Sequence, residues 1–138
     1  MRFIVFVKAS NESESGAMPK KQDLADMNAF NQELVNAGIM LAGEGLHPSM
    51  KGTRIAFAGG KPKVTDGPFP ETKELVAGYW ILQAKSMDEV VDWMKRAPFQ
   101  DGELEIRQIF EAEDFAYAPE IVQQEKQMRE QIAKRQHS

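Results

Sequence analysis

The chain has 138 residues, no Cys, 42% apolar residues, and 17 Lys and Arg against 21 Asp and Glu. That length fits one domain able to bury about two-thirds of its unfolded surface, and lack of Cys excludes a disulfide framework, a thiol nucleophile and a thiolate metal site. Only two His are present, one of them the penultimate His137, so no metal centre is expected.

Phe3–Val7 is a continuous β-branched and aromatic run, the pattern of a strand buried on both faces. Residues 9–17 are small and polar and read as a surface loop. Pro19 sits where a helix would start, and Leu24, Met27, Phe30 and Leu34 follow as one apolar stripe, with Gly38 as a left-handed stop. Ile39–Leu46 reads as a strand interrupted by Gly43 and Gly45, and such glycines often mark a bulge or a close approach. Thr53–Ala58 and Lys61–Thr65 flank Gly59-Gly60, a two-residue hairpin signal. A loop of Pro, Gly and charge spans 66–74, and Val76–Ala84 is a further strand.

Ser86 with Glu89 forms a capping box, and Met87, Val90, Val91 and Met94 give the apolar face of the helix behind it, which Pro98 ends. In Glu103–Phe110, Leu104, Ile106 and Phe110 are set among Glu103, Glu105 and Arg107, so one face is buried and the pairing is antiparallel. Met27, Met40, Met87 and Met94 read as core filler. From Pro119 onward a helix of roughly 18 residues is expected, its stripe of Ile121, Val122, Met128 and Ile132 too thin to stand alone.

The order β-α-β, hairpin, β-α-β defines an α+β, ferredoxin-like split βαβ sandwich with both helices on one sheet face. The second sheet face also needs cover, and a partner subunit supplies it most simply, so a homodimer is expected. The division is 1–110 for this domain and 111–138 for a C-terminal helical extension. Residues 119–138 hold four cations and three anions, and the rest 13 against 18, so no nucleic-acid partner is expected. No apolar run approaches the ~20 residues of a membrane span, and the opening run stops at Lys8 without a cleavage pattern, so the expected location is cytoplasmic.

The densest chemical cluster is Asp66-Gly67-Pro68-Phe69-Pro70-Glu71-Thr72-Lys73-Glu74, where prolines preorganise the backbone at a low ordering cost. The same residues also make a plain turn. Glu44 lies between two glycines, where a carboxylate can meet a ligand or instead pair with Arg54; partial burial would move it toward general-base range. His47 is a proton carrier or a loop residue before Pro48. Asp66 accepts protons or caps the turn. Lys73 binds an anion or pairs with Glu71 or Glu44. Tyr79 and Trp80 point to opposite faces of one strand, and Tyr79 offers a directional donor to a cleft. No GxGxxG or phosphate-loop pattern is present, so no nucleotide is expected.

Asp66-Gly67-Pro68-Phe69, then Glu71-Thr72-Lys73-Glu74 and Gly78-Tyr79, resembles the signature of the DGPF-domain subgroup of the YCII-related family. Ala42-Gly43-Glu44-Gly45-Leu46 with Pro48 is similar to that family's second-strand motif. The resemblance runs from about Met1 to Phe110 and implies a dimeric α+β barrel with a cleft in each subunit. Some relatives carry a His-Asp pair proposed for acid–base work; here no His precedes His47, while Asp66 keeps the carboxylate. The resulting expectation is cofactor-independent acid–base chemistry on, or binding of, a small polar or anionic molecule. Glu44, Asp66 and His47 would move protons, and Arg54, Phe69, Lys73 and Tyr79 would hold the ligand. The rival expectations are a non-catalytic ligand-binding or regulatory dimer and a purely structural one.

Overall fold

The computed structural model describes residues 1–136, so His137 lies outside the described residues. Two compact units are present, Met1–Gln108 and a second beginning at Ile109. In the first, strands β1 (Arg2–Lys8), β2 (Met40–Gly45), β5 (Val76–Gln83) and β6 (Leu104–Gln108) form one sheet in the order β2-β5-β1-β6. Every neighbouring pair is antiparallel. Helices α2 (Lys21–Asn36) and α3 (Met87–Met94) connect its strands, and β3 (Thr53–Ala58) with β4 (Lys61–Asp66) makes a separate two-stranded hairpin. That connectivity is the ferredoxin-like α+β fold.

The register explains which face is buried. Val5 pairs with Trp80 and Ile106, and Phe3 with Leu82, so these side chains share one face. They pack with Phe30 and Leu34 of α2 and Val90 and Met94 of α3 into a single core. Phe3, Val5, Leu34, Leu82 and Val90 are wholly withdrawn from solvent. Trp80 meets Phe30 edge-on at 6.0 Å, and its indole Nε1–H donates to Asn31 Oδ1 at 2.9 Å. A buried indole needs that acceptor, because its lone N–H would otherwise lose its water partner.

Several sequence expectations need correction. Within 9–17, Asn11–Glu14 forms a short helix, α1, because Ser10 and Ser13 cap it reciprocally through their hydroxyls. Helix α2 starts at Lys21, two residues after Pro19, with an uncapped N-terminus. Leu24 on its stripe is exposed, as is Met87 at the start of α3. Helix α3 stops at Met94, four residues before Pro98, and the chain continues in turns. Ser86 accepts from Glu89 N–H, but the Glu89 carboxylate takes Lys85 N–H in place of the reciprocal box bond. Strand β6 ends at Gln108, so Phe110 is not on its buried face; it stacks on Phe115 at 5.0 Å and is exposed. Ile4 and Phe6 are half-buried, so within the chain β1 is closed to solvent at Phe3 and Val5 on one face and not on the other. In the second unit, α4 (Pro119–Gln136) carries no buried residue.

Gly59 and Gly60 have φ of 59° and 79°, the paired positive values of a type I′ turn. Glycine reaches them without the Cβ penalty, which explains the hairpin register from Thr53↔Asp66 to Ala58↔Lys61.

Candidate functional site

The loop after β4 is held by a polar knot. Gly67 N–H donates to Gly52 O at 2.9 Å, and Gly52 N–H donates to Ser49 O at 2.8 Å. The Glu14 carboxylate receives both Ser49 N–H, at 2.9 Å, and the Ser49 hydroxyl, at 2.5 Å. Ser49 Oγ in turn accepts Phe69 N–H at 3.0 Å. One carboxylate from α1 therefore fixes one serine, and that serine fixes the backbone of Phe69. Hydrogen bonds to a charged acceptor are stronger than neutral ones, so Glu14 is the anchor of the chain of contacts.

Gly67 is required sterically rather than conformationally. A Cβ there would lie 1.8 Å from the Ser49 carbonyl oxygen, far inside van der Waals contact. The following peptide bond, Gly67-Pro68, is cis. The Phe69 ring lies beneath Arg54, whose guanidinium carbon is 3.8 Å from the ring centroid. Stacking orients the guanidinium while leaving its N–H edges open, and Arg54 makes no ion pair among the described residues.

Asp66 sits at the end of β4, exposed, and its Oδ1 accepts the Thr53 hydroxyl at 3.0 Å. That bond crosses the base of the hairpin and is not a turn cap onto backbone N–H groups. Glu44 lies on β2 directly opposite Tyr79, and Tyr79 pairs in turn with Phe6. These three side chains therefore share the sheet face away from Trp80. Cross-strand neighbours have Cβ atoms about 5 Å apart, so the Glu44 carboxylate and the Tyr79 ring are within mutual reach. The Glu44 side chain is exposed and forms no hydrogen bond or ion pair among the described residues, Arg54 included. The burial on which its general-base expectation rested is absent.

The two glycines around Glu44 have different reasons. A Cβ on Gly43 would displace the flexible Met40 methyl, 2.6 Å away, and crowd the buried Trp80 ring at 3.0 Å, so core packing favours glycine there. Gly45 has nothing within 4 Å of such an atom and leaves open space beside Glu44. His47 is exposed, and so is Lys73, in the short 3₁₀ turn Thr72–Glu74; neither side chain pairs with a neighbour among the described residues.

The structure thus joins Arg54 with Phe69 and sets Glu44 beside Tyr79, while Glu44 and Asp66 belong to different sheets. Sequence reasoning missed Glu14 and Ser49. The available signal was weak: Ser10-Asn11-Glu12-Ser13 is a helix start only when Ser stands in for the usual Glu or Gln at the fourth position. Among the described residues, no group of three or more His, Cys, Asp or Glu side chains is arranged to hold a metal ion. No described helix is long and apolar enough to cross a membrane.

The sheet order and the two connecting helices make this a small ferredoxin-like α+β protein. The YCII-related domain is matched over residues 1–113, and the chain belongs to that family. It is 30% identical over 104 residues to an uncharacterized protein, R00369, of Rhizobium meliloti (strain 1021), a span covering 71% of this chain and 84% of that protein. Among solved structures it is similar to 5-chloro-2-hydroxyhydroquinone dehydrochlorinase (TftG) of Burkholderia phenoliruptrix AC1100, in complex with 2,5-dihydroxybenzoquinone. The TM-score is 0.47 at 18% identity, over 80% of this chain and 94% of that one.

Proposed function

We propose that the protein is a member of the DGPF subgroup that takes up a small polar or anionic molecule and performs cofactor-independent acid–base chemistry on it, as a homodimer in the cytoplasm. One observation carries this reading: Arg54 is stacked on a pinned Phe69 and has no carboxylate partner among the described residues. An arginine oriented by an aromatic ring keeps its donor fork for an external anion, and fixing it beforehand lowers the ordering cost of binding. Lys73 adds a second cation. Glu44 is the proton acceptor, Tyr79 beside it the directional donor, and His47 and Asp66 are the further proton-carrying groups. Half-buried Ile4 and Phe6 on the second sheet face support the dimer.

A second reading, binding without turnover, is favoured by the exposure of Glu44 and Asp66, since general-base work gains from a dry setting. A panel of small carboxylates, phenols and esters, read by thermal shift and by turnover, separates the two. A ligand at about 100 times its Kd adds about 2.7 kcal/mol of stability. Arg54→Ala is expected to abolish that shift while its own unfolding free energy changes by no more than about 1 kcal/mol. Glu44→Gln is expected to abolish turnover and keep the shift if chemistry occurs, with stability within about 0.5 kcal/mol of the parent. An undiminished ligand shift in Arg54→Ala refutes this site.

A further inference from the structure

We propose that the β3–β4 hairpin is a docking arm whose occupant is a second copy of this chain. The pairing register sorts its side chains cleanly: Ile55 opposes Val64 and Phe57 opposes Pro62 on one face, while Arg54, Ala56, Ala58, Lys61, Lys63 and Thr65 share the other. Ile55, Val64 and Phe57 are 56%, 62% and 74% exposed, and every residue of both strands is open to solvent. Among the described residues the ribbon joins no other strand. An isolated two-stranded hairpin is marginal in water, and an amphipathic one with its apolar pairs uncovered gains most from being clasped.

Charge selects the occupant. Between Thr53 and Asp66 the arm holds three cations and one anion, and the rest of the chain holds 14 cations and 20 anions. Two arms joined on their apolar faces would leave the cations of both on the outer faces, with no carboxylate opposite them. An arm laid on the acidic remainder of another copy brings opposite charge together, and two such contacts close a two-fold dimer. An anionic bilayer fits less well, because the cations lie on the face opposite the apolar side chains. A planar surface that received Ile55 and Phe57 would leave Lys61 and Lys63 pointing away, whereas a folded partner can reach both faces of a ribbon.

This inference rests on the dimeric part of the proposed function and adds its surface. The full chain is measured by sedimentation equilibrium and light scattering at micromolar concentration, beside two variants. One, Ile55→Thr/Phe57→Thr/Val64→Thr, keeps strand-forming residues and removes the apolar face. The other, Lys61→Glu/Lys63→Glu, reverses the arm's charge and leaves that face intact. The expected results are a parent mass twice 15.5 kDa and a dimer Kd raised at least about tenfold in each variant. Added salt should weaken the parent dimer, with a shallower dependence in the lysine variant. Should the threonine variant fail to fold, the lysine variant decides alone. A monomeric parent overturns both the arm and the dimer. A dimer with unchanged Kd in the lysine variant and in any folded threonine variant overturns the arm and leaves the dimer standing. Parent binding to phosphatidylserine vesicles that the threonine variant loses, with no change in Kd, overturns the second copy in favour of a bilayer. The ligand shift at Arg54, read on the same samples, reports separately on the small-molecule site.

Discussion

The helix-covered side of the sheet and the knot beneath the hairpin are built from opposite materials. The first is held by burial: Phe3, Val5, Leu34, Leu82 and Val90 are closed to solvent, and among the described residues no charged group is buried with them. The second contains no fully buried side chain among the described residues and is held by Glu14, Ser49 and a backbone approach at Gly67 too tight for any side chain. Burial is non-directional and tolerates reshaping, whereas a hydrogen-bonded knot fixes positions to tenths of an ångström. A protein that must aim an arginine needs the second kind of construction, and a protein that must stay folded needs the first. Global stability and site geometry are therefore expected to respond to different substitutions.

The largest effect belongs to the core. Leu34→Ala removes a fully buried side chain between α2 and the sheet and is expected to cost about 3 kcal/mol. Urea unfolding should show one cooperative transition at a lower midpoint, with every probe moving together. Gly67→Ala comes next, at about 2 kcal/mol, because its Cβ would overlap the Ser49 carbonyl. Gly45→Ala, with open space around it, is the matched control and should change stability by less than about 1 kcal/mol. Equal losses in the two glycine variants would remove the steric account of the loop.

Glu14→Gln tests the knot without disturbing packing. It weakens two bonds to Ser49 and should cost about 1.5 kcal/mol, mostly as local opening. Hydrogen exchange should speed up at the Ser49 and Phe69 amides and stay unchanged at Val5 and Trp80. Uniform acceleration across the sheet would show that the two regions are one cooperative unit.

What the sequence disclosed follows the same division. The strands of the main sheet and the Met27, Phe30 and Leu34 part of the α2 stripe were readable because burial leaves apolar patterns, and the hairpin turn because Gly59-Gly60 marks it. Gly67 and Phe69 were readable as a motif, but their holder was not. Glu14 and Ser49 lie 35 positions apart, in segments with no periodicity, and a single polar contact between loops leaves no repeat to detect. Glycines 43 and 45 look alike in the chain, yet Trp80 and Met40 crowd one and nothing within 4 Å crowds the other. Three-dimensional neighbours, absent from any local pattern, decide such cases.

The smallest expected effect bears on Asp66. Its Oδ1 accepts the Thr53 hydroxyl across the base of the hairpin, and both residues are exposed. Thr53→Val removes that donor and keeps the β-branched shape that suits a strand, so the loss should be about 0.5 kcal/mol. Asp66→Asn keeps an acceptor for Thr53 and removes only the charge, so its stability should be closer still to that of the parent. The two variants then part on function. If the free Oδ2 serves the ligand, Asp66→Asn loses turnover or binding while Thr53→Val retains it. If Asp66 serves only the hairpin, Asp66→Asn behaves as the parent and Thr53→Val shows the slightly lower melting temperature. Measuring both with the same ligand panel assigns the carboxylate to the site or to the arm, because the hydrogen bond and the charge are removed one at a time.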